Sequence, residues 1–253
     1  MPKTTRYKLT IAYDGSRYSG WQVQPSRVTV QGQLEHALRE MTGEKPKLHG
    51  SGRTDQGVHA RAQVAHVDIR KPLAVATLVR GLNALAPPDI RVLRAEQTSA
   101  SFHARRSAIG KQYRYYVWNA AVLPPFLRFY RTHVVERLDV AAMNEAARHL
   151  RGRHDFAAFT ANPNRVVEST VRTLSELTVK RRGSEVLILA SSEGFLYKMV
   201  RSLAGLLIRV GVGRVEPAAA REIRRSKRRT ARVPTAPPQG LFLWRVLYAK
   251  RGA

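Results

Sequence analysis

Apolar residues recur along this chain at two spacings, the two-residue repeat of strands and the longer repeat of helices. The irregular order of these spacings limits the fold more than any other feature. Apolar side chains recur at every second position in residues 7–13 and 63–69, which is typical of strands. Helical spacing occupies the residues between Thr29, an expected N-cap, and Gly43, and it returns in residues 73–85. Strands and helices therefore mix without the strict alternation of a parallel α/β fold.

The second half of the chain shows the same mixture. A strand is predicted around Tyr113, and Asp139 is expected to cap a helix that ends near Gly152. Further strands are predicted at 171–180, 185–191 and 241–248, with a helix at 196–210. We predict an α+β fold of two ferredoxin-like halves, residues 1–109 and 110–253, with mainly antiparallel sheets flanked by helices and a catalytic cleft between the halves.

The charge of the chain points to a polyanionic partner. Lysine and arginine number 44 against 18 acidic residues, which gives a formal net charge of +26. Such a charge repels itself in a compact chain unless a polyanion or salt neutralises it. Nucleic acid fits this requirement because each neutralised phosphate releases a counterion. The alternatives are a generally basic proteome and a basic protein of a membrane surface.

Several classes of protein are disfavoured by composition. The chain has no cysteine, which excludes disulfides, thiolate metal sites and cysteine nucleophiles. No apolar run reaches the ~18 residues that a membrane span needs. Residues 1–10 carry charges without an apolar stretch, so no secretory signal is predicted there.

Residues 221–232 form a strongly basic segment, called the basic segment below. It holds one acid, Glu222, and seven basic residues: Arg221, Arg224, Arg225, Lys227, Arg228, Arg229 and Arg232. Such a segment is either a solvated helix end or an arm that contacts phosphates. The sequence leaves both interpretations open.

The densest functional signal lies in residues 50–60. Three glycines within eight positions, Gly50, Gly52 and Gly57, indicate unusual backbone torsions or close approach to a ligand. Between them lie Arg53 and Asp55, and a nearby cation favours an ionised carboxylate that can act as nucleophile or base. A plain Asp-Gln-Gly turn is the bland alternative.

Two other interpretations of this region are weaker. A phosphate cradle would need the lysine of a P-loop, which is missing. A metal site built from His59, His66 and Asp68 matches no familiar ligand spacing, so no metal is expected.

Short motifs follow one another along nearly the whole chain. They include Tyr13-Asp14-Gly15, Gly20-Trp21-Gln22, Gly52-Arg53-Thr54-Asp55, Phe102-His103-Ala104-Arg105, Tyr113-Arg114-Tyr115, Met199-Val200-Arg201 and Gly240-Leu241. One such motif is weak, but in their ordered series the chain resembles the tRNA pseudouridine synthase A family. The resemblance departs at Gln56, where the family usually has alanine.

The resemblance implies a role for each matching site residue. Asp55 corresponds to the catalytic nucleophile, Tyr113 to the tyrosine that stacks on the target uracil, and Arg201 to the arginine that pairs with the catalytic carboxylate. Arg53 is implied to contact RNA or to help displace the target base. A further stretch is implied to touch tRNA: Phe102, His103, Ala104, Arg105 and Arg106.

The implied reaction moves uracil from an N1–C1′ bond to a C5–C1′ bond, without redox change or water, so no cofactor is expected. The resemblance also implies modification around positions 38 to 40 of the anticodon stem-loop, a homodimer with tRNA lying across both subunits, and a cytoplasmic location without membrane attachment. Two alternatives are a non-catalytic basic RNA-binding module and, less favoured, a metal-dependent nuclease. The first does not explain a carboxylate in a loop exposed to phosphate repulsion.

Overall fold

The computed structural model describes residues 4–161 and 168–249. The chain divides into two compact units: unit 1 comprises Met1–Ile109 with Phe242–Ala253, and unit 2 comprises Gly110–Leu241. Within the described ranges the strands are β1 (Thr5–Tyr13), β2 (His49–Gly50), β3 (His59–Ile69), β4 (Ile90–Thr98), β5 (Ala108–Trp118), β6 (Thr132–His133), β7 (Gly152–Asp155), β8 (Val171–Arg182), β9 (Glu185–Ser192) and β10 (Leu241–Tyr248). The α-helices are α1 (Val30–Thr42), α2 (Val75–Leu85), α3 (Val140–Arg148), α4 (Met199–Gly211) and α5 (Ala219–Ser226).

Unit 1 is built on a sheet in the order β4-β1-β3-β10, with β2 added to β3. Strand β1 is antiparallel to both of its neighbours, whereas β10 runs parallel to β3 through Phe242 and Leu243. One face of β1 supplies Tyr7, Leu9 and Ile11 to the core, and all three are fully buried. The alternation predicted for residues 7–13 therefore marks the face of the sheet that packs inward.

Helix α1 begins and ends where its side chains predict. Thr29 has extended torsions, and its hydroxyl accepts a hydrogen bond from the Gly32 amide at 3.2 Å. Gly43 closes the helix in the left-handed region at φ 71°, and its amide donates to the Arg39 carbonyl. Both predicted boundaries are confirmed.

Unit 2 contains the strand order β5-β9-β8-β7, with β6 alongside β5. The neighbours in that order are antiparallel, and β6 is parallel to β5. Asp139 caps α3 as predicted, since its carboxylate accepts from the Ala141 and Ala142 amides. Mainly antiparallel strands with helices packed on them, in both units, confirm the α+β class.

Three local differences from the sequence expectations have physical causes. Strand β4 went unpredicted because the β1–β4 register slips between Thr10 and Ile11, which leaves Leu93 exposed and breaks the alternation. Helix α4 starts three residues later than predicted because Lys198 adopts left-handed torsions, at φ 56°. The closing strand, assigned from sequence to the second half, pairs with β3 in unit 1 from Phe242 onward.

In the part of the chain that the structure describes, no helix combines the length and apolarity of a membrane span.

Candidate active site

The loop that carries Asp55 lies between β2 and β3 in unit 1, and buried contacts hold it from below. Thr54 is buried, and its hydroxyl is hydrogen-bonded to the Tyr13 phenol at 2.8 Å. The Thr54 carbonyl accepts from the Trp21 amide at 3.1 Å. Burial raises the pKa of Tyr13, so its phenol keeps its proton at neutral pH. The residue next to the carboxylate is thus fixed on both its backbone and its side chain.

Asp55 itself is half-buried, between an exposed Arg53 and an exposed Gln56. Its carbonyl accepts from the Val58 amide at 3.1 Å, which closes a tight turn. Gly57 lies within this turn at φ 75°, a region that other residues adopt with strain. The glycine-rich pattern therefore marks a shaped turn, as predicted, and the turn presents Asp55 at the rim of the loop.

Gln63 clamps the other side of the loop, a role that its sequence position gave no sign of. Its side chain is fully buried, its Oε1 accepts from the Ser51 hydroxyl at 2.6 Å, and its Nε2 donates to the Gly52 carbonyl at 2.9 Å. The same Oε1 accepts from the Val64 amide at 3.1 Å. An amide suits this position because it both donates and accepts.

Gly20 supports the loop by leaving room for it. Its φ is +90°, and a Cβ built there would lie 2.5 Å from the Thr54 carbonyl oxygen. Any side chain at this position would push against the backbone directly before Asp55. The Gly20-Trp21-Gln22 motif thus has a structural explanation: the chain passes in backbone-to-backbone contact with the Asp55 turn.

The first residues of β3 are braced on two sides. His59 is buried, its Nδ1 accepts from the Gly15 amide at 3.1 Å, and its ring stacks on Phe242 with centroids 4.5 Å apart. The register of β1 with β3 shifts between Ile11 and Tyr13, so one extra residue bulges out of β3 just after the loop. Bulges of this kind are frequent beside active sites, where they redirect side chains.

A second loop of unit 1, residues 99–107, carries the stretch implied to touch tRNA. Arg6 donates to the Ala100 and Phe102 carbonyls at 2.5 and 2.7 Å and forms a two-pronged ion pair with Asp68 at 2.7 Å. Hydrogen bonding from Arg6 lowers the pKa of Asp68 below its usual range. One guanidinium therefore ties the loop to β1 and β3.

Ala104 is held through both its amide and its carbonyl. It is fully buried, its amide donates to His66 Nδ1 at 3.2 Å, and its carbonyl accepts from the Tyr248 phenol at 2.7 Å. Arg105 and Arg106 follow it and are exposed. Ala104 thus anchors the loop, while the two arginines are presented to solvent.

Three histidine rings are close together here: His66 stacks on His49, and His103, from the loop itself, meets His66 at a tilt. The ring of His66 lies 4.9 Å from that of His49 and 4.7 Å from that of His103. Burial, followed by the positive charge of Arg6 and the two other histidines, lowers the pKa of His66 to about 4. His66 is therefore neutral at physiological pH, as an acceptor of the Ala104 amide must be. Among the described residues, no three His, Asp or Glu side chains are grouped so as to hold a metal ion.

Tyr113 and Arg201 belong to unit 2. Tyr113 lies on β5, its side chain is largely buried, and its ring meets Phe195 edge-to-face with centroids 5.2 Å apart. Arg201 lies in the first turn of α4, where its Nε donates to the Ala236 carbonyl at 2.7 Å. The Ala236 amide returns a bond to the Arg201 carbonyl at 3.0 Å. Both side chains are thus held in fixed positions within their own unit.

Comparisons with known proteins add the family context. A family model described as tRNA pseudouridine synthase matches residues 9–105 and 146–249. Curated proteins named tRNA pseudouridine synthase A are similar along almost their whole length. The protein of Brevibacillus brevis is 44% identical over 96% of this chain and 99% of its own. That of Geotalea uraniireducens is 45% identical over 95% and 98%, and that of Bacillus subtilis 42% identical over 96% and 99%.

Proposed function

Because this chain belongs to the tRNA pseudouridine synthase family, and is thus an isomerase that converts uridine to pseudouridine in tRNA, we propose that Asp55 is the nucleophile of the reaction. The observation that carries this proposal is the Asp55 turn, held by Thr54 and closed by the bond between the Asp55 carbonyl and the Val58 amide. A rigid turn with a half-buried carboxylate at its rim is suited to attack, since a preorganised group needs little rearrangement. Family membership disfavours the non-catalytic RNA-binding alternative.

Asp55 attacks the flipped nucleotide at C6 of the uracil or at C1′ of the ribose, and both routes give an adduct that later collapses. The N1–C1′ bond breaks, the uracil turns, and the C5–C1′ bond forms. The proton lost from C5 is accepted by a base within hydrogen-bond reach, for which Asp55 and Tyr113 are the candidates, and N1 ends with a proton. The proton lost at C5 equals the proton gained at N1, so the reaction is an isomerisation without a second substrate.

Tyr113 and Arg201 are proposed to support this step. Extruding a nucleotide from a stem costs a few kcal/mol, and stacking on an aromatic ring returns ~1–3 kcal/mol. Tyr113 supplies that ring, and Phe195 holds it edge-on. Arg201 acts as the partner of the catalytic carboxylate, which a fork-shaped guanidinium orients better than an ammonium would.

Arg53 and the 102–106 stretch are proposed to bind the RNA. Arg53, Arg105 and Arg106 are exposed, and their charge suits phosphate contacts. Phe102 and His103 are half-buried beside them, and Ala104 contributes by holding the loop.

The target is the anticodon stem-loop around positions 38 to 40, the enzyme is a cytoplasmic homodimer, and one tRNA lies across both subunits. Sedimentation of the protein alone and pseudouridine mapping on bulk tRNA test these points.

The central test is Asp55→Asn, which removes the nucleophile while keeping the size of the side chain. We expect pseudouridine formation on uridine-containing tRNA to disappear, with the Kd for that tRNA changed less than threefold. The matched control is Glu40→Gln, an acid-to-amide change at an exposed position of α1, which should keep full activity. Normal product yield from Asp55→Asn would refute the assignment.

A further inference from the structure

The basic segment has a defined structure that separates its cations into two groups. Residues 219–226 form α5, which turns Ala220 and Ile223 inward, where both are buried. Arg221 and Arg225, four residues apart, lie on the exposed side of this short helix, whereas Arg224, four residues from Ala220, lies at the edge of the buried face and is half-buried. The first half of the segment is thus part of an amphipathic helix.

Two of the basic side chains fasten the segment to the rest of unit 2. Lys227 Nζ lies 3.3 Å from Asp155 Oδ2. Arg229 donates to the hydroxyls of Ser202 and Thr235, both at 2.8 Å. Arg229 therefore connects the end of the segment to α4, one residue beyond Arg201. A surface mounted in this way holds its remaining charges in fixed positions.

The other cations are crowded and are not matched by acids. Within the described ranges, no ion pair joins an acid to Arg221, Arg224 or Arg225, and Arg221 approaches only the Nδ1 of His149 at 3.3 Å. The Nε of Arg224 is buried without a hydrogen-bond partner among those residues. Burial, then the positive charges of Arg225 and Arg221, lowers the pKa of Arg224. The like charges repel one another, and a bound anion would relieve that repulsion.

We propose that Arg221, Arg224 and Arg225, with the exposed Arg228 beyond the helix end, form a docking surface for the phosphate backbone of the RNA substrate. Guanidinium groups bind phosphate through two parallel hydrogen bonds, which lysine does not match. Arginines on one helix face stand about 5–6 Å apart at Cβ, so the surface engages several phosphates along a strand. The inference rests on the proposed function only in taking tRNA as the polyanion, and it adds a binding surface separate from the groups that act on the uracil.

The test is the triple variant Arg221→Gln/Arg224→Gln/Arg225→Gln, with tRNA affinity measured over a range of salt concentrations. The slope of log K against log salt is negative, and each lost phosphate contact makes it shallower by about 0.7–0.9. The magnitude of the slope should therefore decrease by about 2 in the triple variant. We expect the Kd for tRNA to rise at least tenfold at low salt. The control Lys45→Gln/Lys47→Gln/Lys71→Gln removes the same charge from exposed positions of unit 1 and should change the slope by less than 0.5.

Equal losses in the two triple variants, or no change in either, would overturn the proposal. Vesicles containing phosphatidylserine form a second arm. If the α5 variant loses vesicle binding and keeps its tRNA affinity, the surface serves a membrane and the inference is wrong. Circular dichroism checks folding, and if the triple variant unfolds, the exposed single variants Arg221→Gln and Arg225→Gln should each lower the slope by about 0.7–0.9.

The same experiments separate this inference from the proposed chemistry. If the wild-type protein makes pseudouridine and the triple α5 variant binds tRNA normally, only the docking surface is refuted. Conversely, full activity of the Asp55→Asn variant would refute the assignment of Asp55 as the nucleophile and would not affect the salt-slope result.

Discussion

Protonation of His66 should weaken the protein over a defined range of pH. His66 is 2% exposed and accepts the Ala104 amide at Nδ1, a bond that only the neutral ring can accept. Its pKa of about 4 lies below the ordinary value of 6.5 because of burial and of the positive charge of Arg6, His49 and His103; Asp68 acts in the opposite direction. The unfolded chain therefore binds a proton more readily than the folded chain between these two values.

The sign and size of the effect follow from proton linkage. As pH falls from 6.5 to about 4, the unfolded state gains a proton before the folded state does, so the free energy of unfolding decreases. One pKa unit corresponds to about 1.4 kcal/mol. The difference between the pKa values of His66 in the unfolded and folded chains therefore sets an upper limit of about 3 kcal/mol on the loss of stability. Above pH 6.5 both states are neutral at this ring, and His66 adds no further pH dependence.

The assay is urea unfolding at pH 7.0, 6.0, 5.0 and 4.5, comparing wild type with His66→Asn. Asparagine retains an acceptor near the position of Nδ1 but does not titrate, so this variant should lose less stability between pH 6.5 and 4.5 than wild type does. Burial also lowers the pKa values of His103 and His154, so these two histidines account for part of the decrease that remains. The control His36→Asn changes an exposed histidine of α1 and should keep the wild-type profile. If wild type and His66→Asn decline in parallel, the buried neutral histidine is not the cause.

Two further predictions concern the loop around Asp55. Gln63→Leu leaves the Ser51 hydroxyl and the Gly52 carbonyl without their buried partner, so the free energy of unfolding in urea titrations should fall by about 2–4 kcal/mol. We also expect kcat to fall by a larger factor than the factor by which KM changes. An unchanged kcat would contradict a clamping role. Gly20→Ala puts a Cβ 2.5 Å from the Thr54 carbonyl at a φ of +90°, so it should lower stability by about 1–3 kcal/mol and kcat by at least tenfold; an equally active variant would show that the turn tolerates displacement.

The elements that could be predicted from sequence are those coded locally. Thr29 and Gly43 each cap α1 through their own side chain or torsion, and both lie next to the helix in the chain. Strand β4 was missed because its bulge at Leu93 changes the parity of the buried positions. Helix α5 was missed as an element because it buries only Ala220 and Ile223, too few apolar residues for a helical period.

The candidate site divides in the same way. The Asp55 turn was recognisable because its glycines are close together in sequence, but its supports act over long separations. Tyr13 reaches Thr54 across 41 residues, and Gln63 reaches Ser51 across 12. Such contacts depend on strand register and the bulge in β3, which periodicity alone does not give. Tyr248, which holds Ala104 across 144 residues, gave no signal at all.

The parallel pairing of β10 with β3 sets the order in which the enzyme can mature. Phe242 and Leu243 reach back to His59 and Ala60, so unit 1 is interrupted by all of Gly110–Leu241. On the ribosome, the turn that bears Asp55 is synthesised early but waits for nearly two hundred more residues before its bracing strand emerges. A nascent chain therefore carries Asp55 on an unfinished sheet, which is completed only after residues 241–248 have been translated.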